Sequence, residues 1–102
     1  MKKPPFNQLI KKSEVPVLVD FYADWCGPCR TLSPIVQDVA KSMSGKVKVI
    51  KINVDKNNAL AAQFNIRSIP TLILFKNGVP AWRKAGLLTK KELIKSINSS
   101  IN

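Results

Sequence analysis

The feature that most constrains this chain is a nearly continuous apolar segment followed at once by a pair of cysteines. The segment runs from Val15 to Ala23, and Cys26-Gly27-Pro28-Cys29 begins two residues later. Unbroken apolarity rich in β-branched residues is typical of a parallel strand that is covered on both faces. From Pro28 to about Met43, apolar residues recur at spacings of three and four, which predicts a helix. We therefore expect the cysteines at the junction of a buried strand and a helix.

This position predicts redox chemistry for the two cysteines, which are the only ones in the chain. At the start of a helix, unpaired backbone N–H groups and the helix dipole favour negative charge. They should lower the pKa of the Cys26 thiol, and the thiolate is the reactive form. The alternatives are a structural staple and half of a zinc site. A zinc site needs about four ligands and the chain has no histidine, while so short a loop gains little stability from cross-linking.

Length and composition indicate one globular domain over residues 1–102, with 45% hydrophobic and 23% charged residues. No apolar stretch reaches the roughly 20 residues of a membrane span. Pro4 and Pro5 stand where a signal peptide needs its apolar core, so we expect no membrane association and a cytoplasmic location. In that compartment a closely spaced cysteine pair is catalytic rather than structural. We expect neither a metal nor a cofactor.

The net charge of +11 is the second unusual property. It has two interpretations: a solvated surface, or electrostatic steering toward acidic partner proteins. The basic residues form no single stripe and accompany no RNA-binding or helix-turn-helix motif, so no nucleic-acid partner is expected.

The rest of the pattern predicts a mixed sheet with helices on both faces. Asn77-Gly78 is a strong hairpin signal, and Pro80 places the strand after it at an edge. Thr89 and Glu92 form a capping box that opens a terminal helix. The predicted elements are a helix over 6–12, strands over 15–23, 46–55, 71–75 and 79–85, and helices over 28–43, from Asn57 or Asn58 to about Phe64, and from Lys90 onward.

The segment from Val19 to Arg30 resembles the active-site segment of the thioredoxins. Supporting segments follow in the family's order: 51–55, 66–71, 75–78 and Gly86. The resemblance implies the α/β thioredoxin fold, with three α/β/α layers and a mixed central sheet. Pro4 and Pro5 lie where the family has its first strand, so we expect that strand to be missing or vestigial and the sheet to have four strands. Tyr22 stands where many relatives carry a second tryptophan.

The resemblance also implies a general protein disulfide reductase. Cys26 matches the exposed nucleophile that forms a mixed disulfide with substrate, and Cys29, one turn further in and less exposed, matches the residue that resolves it. Asp20 is a carboxylate in an apolar strand, where burial raises its pKa; the resemblance makes it the proton acceptor for Cys29. Alternatively, the strand end is open and Asp20 meets solvent or a lysine. Lys51 matches the family lysine near this carboxylate.

A substrate-binding collar is implied around the sulfurs. Pro70 matches the family's cis-proline, and a cis bond lets this turn face Cys26 and offer backbone groups to an extended substrate. The adjoining tryptophan is expected to be partly exposed. That tryptophan, Trp25, completes the collar together with Gly27, Pro28, Ile69, Ala85, Gly86 and Leu87.

The implied partners are disulfide-containing proteins and a thioredoxin-reductase-like flavoprotein as electron donor, and the chain is expected to be a monomer. Two other functions stay open. A disulfide oxidant or isomerase is disfavoured by Gly27-Pro28, because oxidising relatives often carry a histidine between the cysteines. The other is a structural subunit, or a reductase dedicated to one partner, within a larger assembly.

Overall fold

The computed structural model describes residues 5–101, which form four helices and four strands in the predicted order. No helix among these residues is long and apolar enough to cross a membrane. The elements are α1 (Phe6–Lys12), β1 (Val17–Tyr22), α2 (Gly27–Ser42), β2 (Lys48–Asn53), α3 (Asn58–Gln63), β3 (Thr71–Lys76), β4 (Val79–Ala85) and α4 (Lys90–Ile101).

The strands form one mixed sheet in the order β2-β1-β3-β4. Strand β1 pairs parallel with β2, which sets Asp20 opposite Lys51, and antiparallel with β3. The central position of β1 explains its unbroken apolarity, since its first five residues are buried. The predicted four-stranded mixed sheet is confirmed for residues 5–101. The expected loss of the family's first strand concerns residues 1–4, which lie outside the described part of the chain.

Side chains alternate between the two faces of β1 and so separate two apolar layers. Leu18 points toward α2 and α4, where it packs with Leu32 and Leu93. Val17 and Phe21 point to the other face, which is covered by α1 and by the segment around Phe64. The predicted α/β/α layering is confirmed. Asp20 shares the α2 face with Leu18, so this carboxylate lies on the same side of the sheet as the helix that carries Cys29.

The β3–β4 hairpin has the turn that its sequence predicts. Asn77 and Gly78 both have positive φ angles, of 54° and 82°, as a two-residue hairpin turn requires. A Cβ on Gly78 would lie 3.2 Å from the Cα of Lys11, so α1 packs closely over the turn. Pro80 lies in the edge strand β4, next to a bulge between Leu74 and Phe75, and it costs the sheet no central hydrogen bond.

Two helix starts show one prediction confirmed and one wrong. Before α4, the Glu92 carboxylate accepts from the Thr89 N–H at 2.9 Å, and the Thr89 hydroxyl accepts from the Glu92 N–H at 3.1 Å, which completes the capping box. Before α3, Asn57 occupies the N-cap position, but its side chain does not cap the helix. Its Nδ2 instead donates to the carbonyl of Asn53, because the chain turns back there after β2.

Candidate functional site

The two cysteines lie at the start of α2, directly beyond the carboxyl end of the central strand. Cys26 is the N-cap residue of α2 and is joined by a disulfide to Cys29, with the Cα atoms 5.3 Å apart. The Cys29 N–H donates to the Cys26 sulfur at 3.2 Å. Pro28, in the first turn, costs no hydrogen bond there because these N–H groups have no helical partner. The helix start therefore favours negative charge on the Cys26 sulfur once the disulfide is reduced.

The predicted difference in exposure between the cysteines is wrong for this oxidised state. Cys26 is only 4% exposed and Cys29 is 5% exposed, so Cys26 is not the more exposed residue. The disulfide holds the two sulfurs together, and Ala23, Val54 and Ile69 pack around them. The first sulfur is thus shielded while it is bonded.

Asp20 is buried beneath the site, as predicted. It is 1% exposed, and its Oδ1 has no hydrogen-bond partner among the described residues. Burial raises the pKa of this carboxyl to about 6, against a smaller lowering by the positive charge of Lys51. The alternative of an open strand end, with Asp20 meeting solvent, is wrong. A carboxyl of this kind can change its protonation near neutral pH.

Lys51 lies opposite Asp20 in the β1–β2 register, but its ammonium group is held by other residues. Its Nζ donates to the Ser33 hydroxyl at 2.9 Å and lies 4.7 Å from the centre of the Tyr22 ring. The aromatic residue at position 22 thus attracts the lysine cation as well as filling space. Lysine and carboxylate are brought together across one strand pair, as expected.

Trp25 stands beside the disulfide and is 68% exposed, which confirms the expected partial exposure. Its Nε1 donates to the Asp55 carboxylate at 2.9 Å. The Asn53 side chain in turn accepts from the Asp55 N–H at 2.9 Å. An exposed indole is fixed in this way by the segment that follows β2. Sequence reasoning gave Asp55 and Ser33 no role, because only the folded chain brings each to its partner.

The expected cis bond is present between Ile69 and Pro70. The carbonyl of Pro70 accepts from the N–H of Gly86 at 2.8 Å, which joins this turn to the end of β4. Gly86 has a φ of 90°, and Leu87 after it is an apolar side chain that is 49% exposed. The turn over 85–87 and the Pro70 turn therefore lie side by side, while Ile69 packs against the cysteines.

Two cavities adjoin this site. We call them the apolar cavity, of about 180 Å³, and the charged cavity, of about 260 Å³. The first is lined by Trp25, Val54, Ile66, Arg67, Ser68 and Ile69. The second is lined by Tyr22, Ala23, Asp24, Cys29, Arg30, Ser33 and Lys51. Cys29 thus faces the side that carries the lysine, and Trp25 and Ile69 face the other.

Comparison with known proteins agrees with this geometry. The sequence profile of the Thioredoxin family matches residues 1–99. The chain belongs to the thioredoxin family. Over 94% of its length it is 49% identical to a thioredoxin of Rickettsia felis, covering 91% of that protein. It is 46% identical to one of Haemophilus influenzae, covering 90%, and 45% identical to thioredoxin 1 of a Nostoc species, also covering 90%.

Membership of the thioredoxin family and the bonded Cys26–Cys29 pair make this protein a thiol–disulfide oxidoreductase. The predicted family, fold and enzyme class are confirmed. Thioredoxins act on disulfide substrates.

Proposed function

We propose that the protein is a general protein disulfide reductase in which Cys26 attacks and Cys29 resolves. The observation that carries the proposal is the disulfide at the start of α2 together with the buried Asp20 on the face of β1 that α2 covers. In the reduced protein the Cys26 thiolate attacks one sulfur of a substrate disulfide. A mixed disulfide forms, and the other substrate sulfur leaves as a thiolate.

Resolution requires Cys29 to lose its proton. The Cys29 thiolate then attacks the Cys26 sulfur, which forms the bond seen here and releases the second substrate sulfur. Two electrons pass from the protein to the substrate. Asp20 accepts the Cys29 proton, since it lies on the α2 face of β1 and has a pKa raised to about 6 by burial. The positive charge of Lys51, on the neighbouring strand β2, lowers the pKa of Asp20 and so opposes the effect of burial.

Substrate binding is assigned to the surface around the sulfurs. The exposed indole of Trp25 and the apolar side chains of Ile69 and Leu87 offer apolar contact, and the turns at Pro70 and over 85–86 offer backbone groups to an extended segment. Gly27 adds no side chain that would obstruct the approach, with nothing within 4 Å of its Cβ position. Gly27 and Pro28 also supply no charged group between the cysteines to stabilise the thiolate further, which suits a reductant.

The remaining assignments follow from the resemblance and the sequence. One domain over residues 1–102 acts as a cytoplasmic monomer in electron transport and cell redox homeostasis. It reduces disulfide-containing proteins and is itself reduced by a thioredoxin-reductase-like flavoprotein. The +11 charge suits acidic substrates.

The test is turnover of insulin, followed by precipitation of its reduced chains, with NADPH and a purified flavoprotein thioredoxin reductase. We expect catalysis that depends on both the reductase and Cys26. Titration against glutathione should give a reducing potential, near that of thioredoxins rather than of oxidants. An oxidising potential would overturn the reductase assignment. A role that survived replacement of both cysteines by serine would favour the structural subunit instead.

A further inference from the structure

Strand β2 lies at an edge of the sheet and pairs only with β1 in the described part of the chain. The N–H groups of Lys48 and Val54 donate to carbonyls of the β1 side, Pro16 and Tyr22. In a strand the direction of these groups alternates from residue to residue, so even-numbered positions face β1 and odd-numbered positions face outward. The backbone N–H and C=O groups of Val49 and Lys51 therefore point away from the sheet.

Farther along, the same edge is closed. The carbonyl of Asn53 accepts from the Asn57 side chain at 2.9 Å and from the Lys56 N–H at 3.2 Å. The open stretch is thus short and centred on Val49–Lys51. Among residues 5–101 no strand pairs with these backbone groups, and a row of such groups is what a further strand requires.

Beside this edge lies a cavity of about 580 Å³, which we call the β2 groove. Half-buried Ile50 and Ile52 form its floor on the α1/α3 face of the sheet. Helices α1 and α3 supply the other apolar side chains of its walls. The two charged residues that line it are both lysines. The groove is lined by Phe6, Leu9, Leu60 and Asn57 together with Lys48, Lys51 and the two isoleucines.

We propose that the β2 groove is a docking site for an extended, acidic segment of a partner protein, which adds to the sheet as a strand beside β2. Alternate side chains of that segment would enter the apolar groove. The intervening acidic side chains would lie on the opposite face of the sheet, which carries Lys51, while Lys48 lies on the same face as the groove and would attract an acidic side chain at its end. Among residues 5–101 no acidic residue lines the groove to oppose this attraction.

Two other occupants are disfavoured by their chemistry. A second copy of the chain, paired edge to edge, would bring Lys48 and Lys51 against their own counterparts. Residues 1–4 carry Lys2 and Lys3, which have the same sign as the groove, and Pro4 and Pro5 lack two of the N–H donors that a strand needs.

The first test is binding of two nine-residue fluorescein-labelled peptides, measured by fluorescence polarisation in about 0.02 M salt. One alternates glutamate with valine or threonine, and the other has lysine in place of each glutamate. We expect the acidic peptide to bind at least about tenfold tighter. Lys48→Glu should weaken its binding about fivefold or more, whereas Lys95→Glu, at an exposed position of α4 and with the same change of charge, should have less than about a twofold effect. Equal binding of both peptides, or equal effects of both variants, would overturn the proposal.

The second test locates the peptide by amide hydrogen exchange of the oxidised protein. We expect the amides of Val49 and Lys51 to exchange rapidly in the free protein and to be protected by the acidic peptide. Binding without protection of these amides overturns the proposal. Protection of these amides already in the free protein also overturns the proposal. If that protection is lost on deletion of residues 1–4, the occupant is the protein's own segment. If it depends on protein concentration, the occupant is a second copy. Reduction of a small uncharged disulfide should be the same for Lys48→Glu and the wild type.

Discussion

The two cavities beside the disulfide differ in what their walls can do. The apolar cavity is walled by an exposed indole and by Ile66 and Ile69, whereas the charged cavity collects Lys51, Arg30 and Asp24 around Cys29. Contact with a substrate depends on exposed apolar surface, and proton transfer depends on ionisable groups in a shielded place. The difference indicates that substrate recognition and proton transfer take place on opposite sides of the Cys26–Cys29 disulfide. Substitutions on the two sides should therefore change different kinetic parameters.

The largest expected effects come from the sulfurs that both sides share. Cys26→Ser should abolish turnover, because no other residue can form the mixed disulfide. Cys29→Ser should react once and then accumulate as a covalent adduct with substrate, detectable by non-reducing electrophoresis and mass spectrometry. Sustained wild-type turnover by the Cys29 variant would show that resolution does not use this residue.

Asp20→Asn should be the strongest change on the charged side. General acid–base catalysis contributes about 10²–10⁴-fold in enzymes, and we expect resolution of the mixed disulfide to slow by at least about tenfold at pH 7. The wild-type rate should rise as pH passes about 6, where Asp20 loses its proton, and the variant should lack this rise. Single-turnover rates over pH 5–9 measure both. Identical profiles would remove Asp20 from the mechanism.

The same variant should be more stable than the wild type at high pH. Asp20 has a pKa of about 6 in the folded protein against 3.8 as the ordinary value, so the folded state holds this proton more tightly. The stability that this gives is complete below about pH 4 and is lost as pH rises through about 6. The shift in pKa corresponds to about 3 kcal/mol. Near pH 8 the free energy of unfolding of Asp20→Asn should exceed that of the wild type by this amount. Urea unfolding at pH 4 and pH 8 checks this, and a difference that does not depend on pH would contradict it.

On the apolar side, Trp25→Ala should raise KM for a protein substrate about tenfold while the pH profile of resolution stays unchanged, because the indole forms a contact wall and takes no proton. Trp25→Phe is the matched control, since it keeps an aromatic wall and loses only the hydrogen bond to Asp55. Its effect should be smaller. A changed pH profile in either variant would break the separation between the two sides.

The smallest effect is expected for Lys51→Met. Without the lysine charge the pKa of Asp20 should rise above about 6, because that charge lowers it. Resolution near pH 6.5 should then slow by about twofold to threefold, since a smaller fraction of Asp20 is ionised. Carbon-13 NMR titration of labelled aspartate reads the pKa directly, with Lys95→Met as the control for net charge. An unchanged Asp20 titration would mean that the charge of Lys51, whose ammonium group is hydrogen-bonded to Ser33, does not affect the pKa of Asp20.

The sequence predicted the parts of this site that depend on local pattern. Spacing places Cys26 and Cys29 at a helix start, and an acid within an apolar strand is expected to be buried, as Asp20 is. The hydrogen bonds of Trp25 with Asp55 and of Lys51 with Ser33 could not be predicted, because they join segments 30 and 18 residues apart through side-chain geometry. The near-equal burial of the two cysteines also depends on neighbours that only the fold supplies, such as Ile69.

The strand order also constrains when the chain can fold during its synthesis. The central strand β1 is made early, yet its antiparallel neighbour joins Val17 to Phe75, so the sheet cannot close until about three quarters of the chain has left the ribosome. Ile69, which packs against the two cysteines, arrives in the same late portion. Cys26 and Cys29 therefore emerge well before the residues that shield them, and a reducing environment keeps their exposed thiols from forming disulfides with other molecules during that interval.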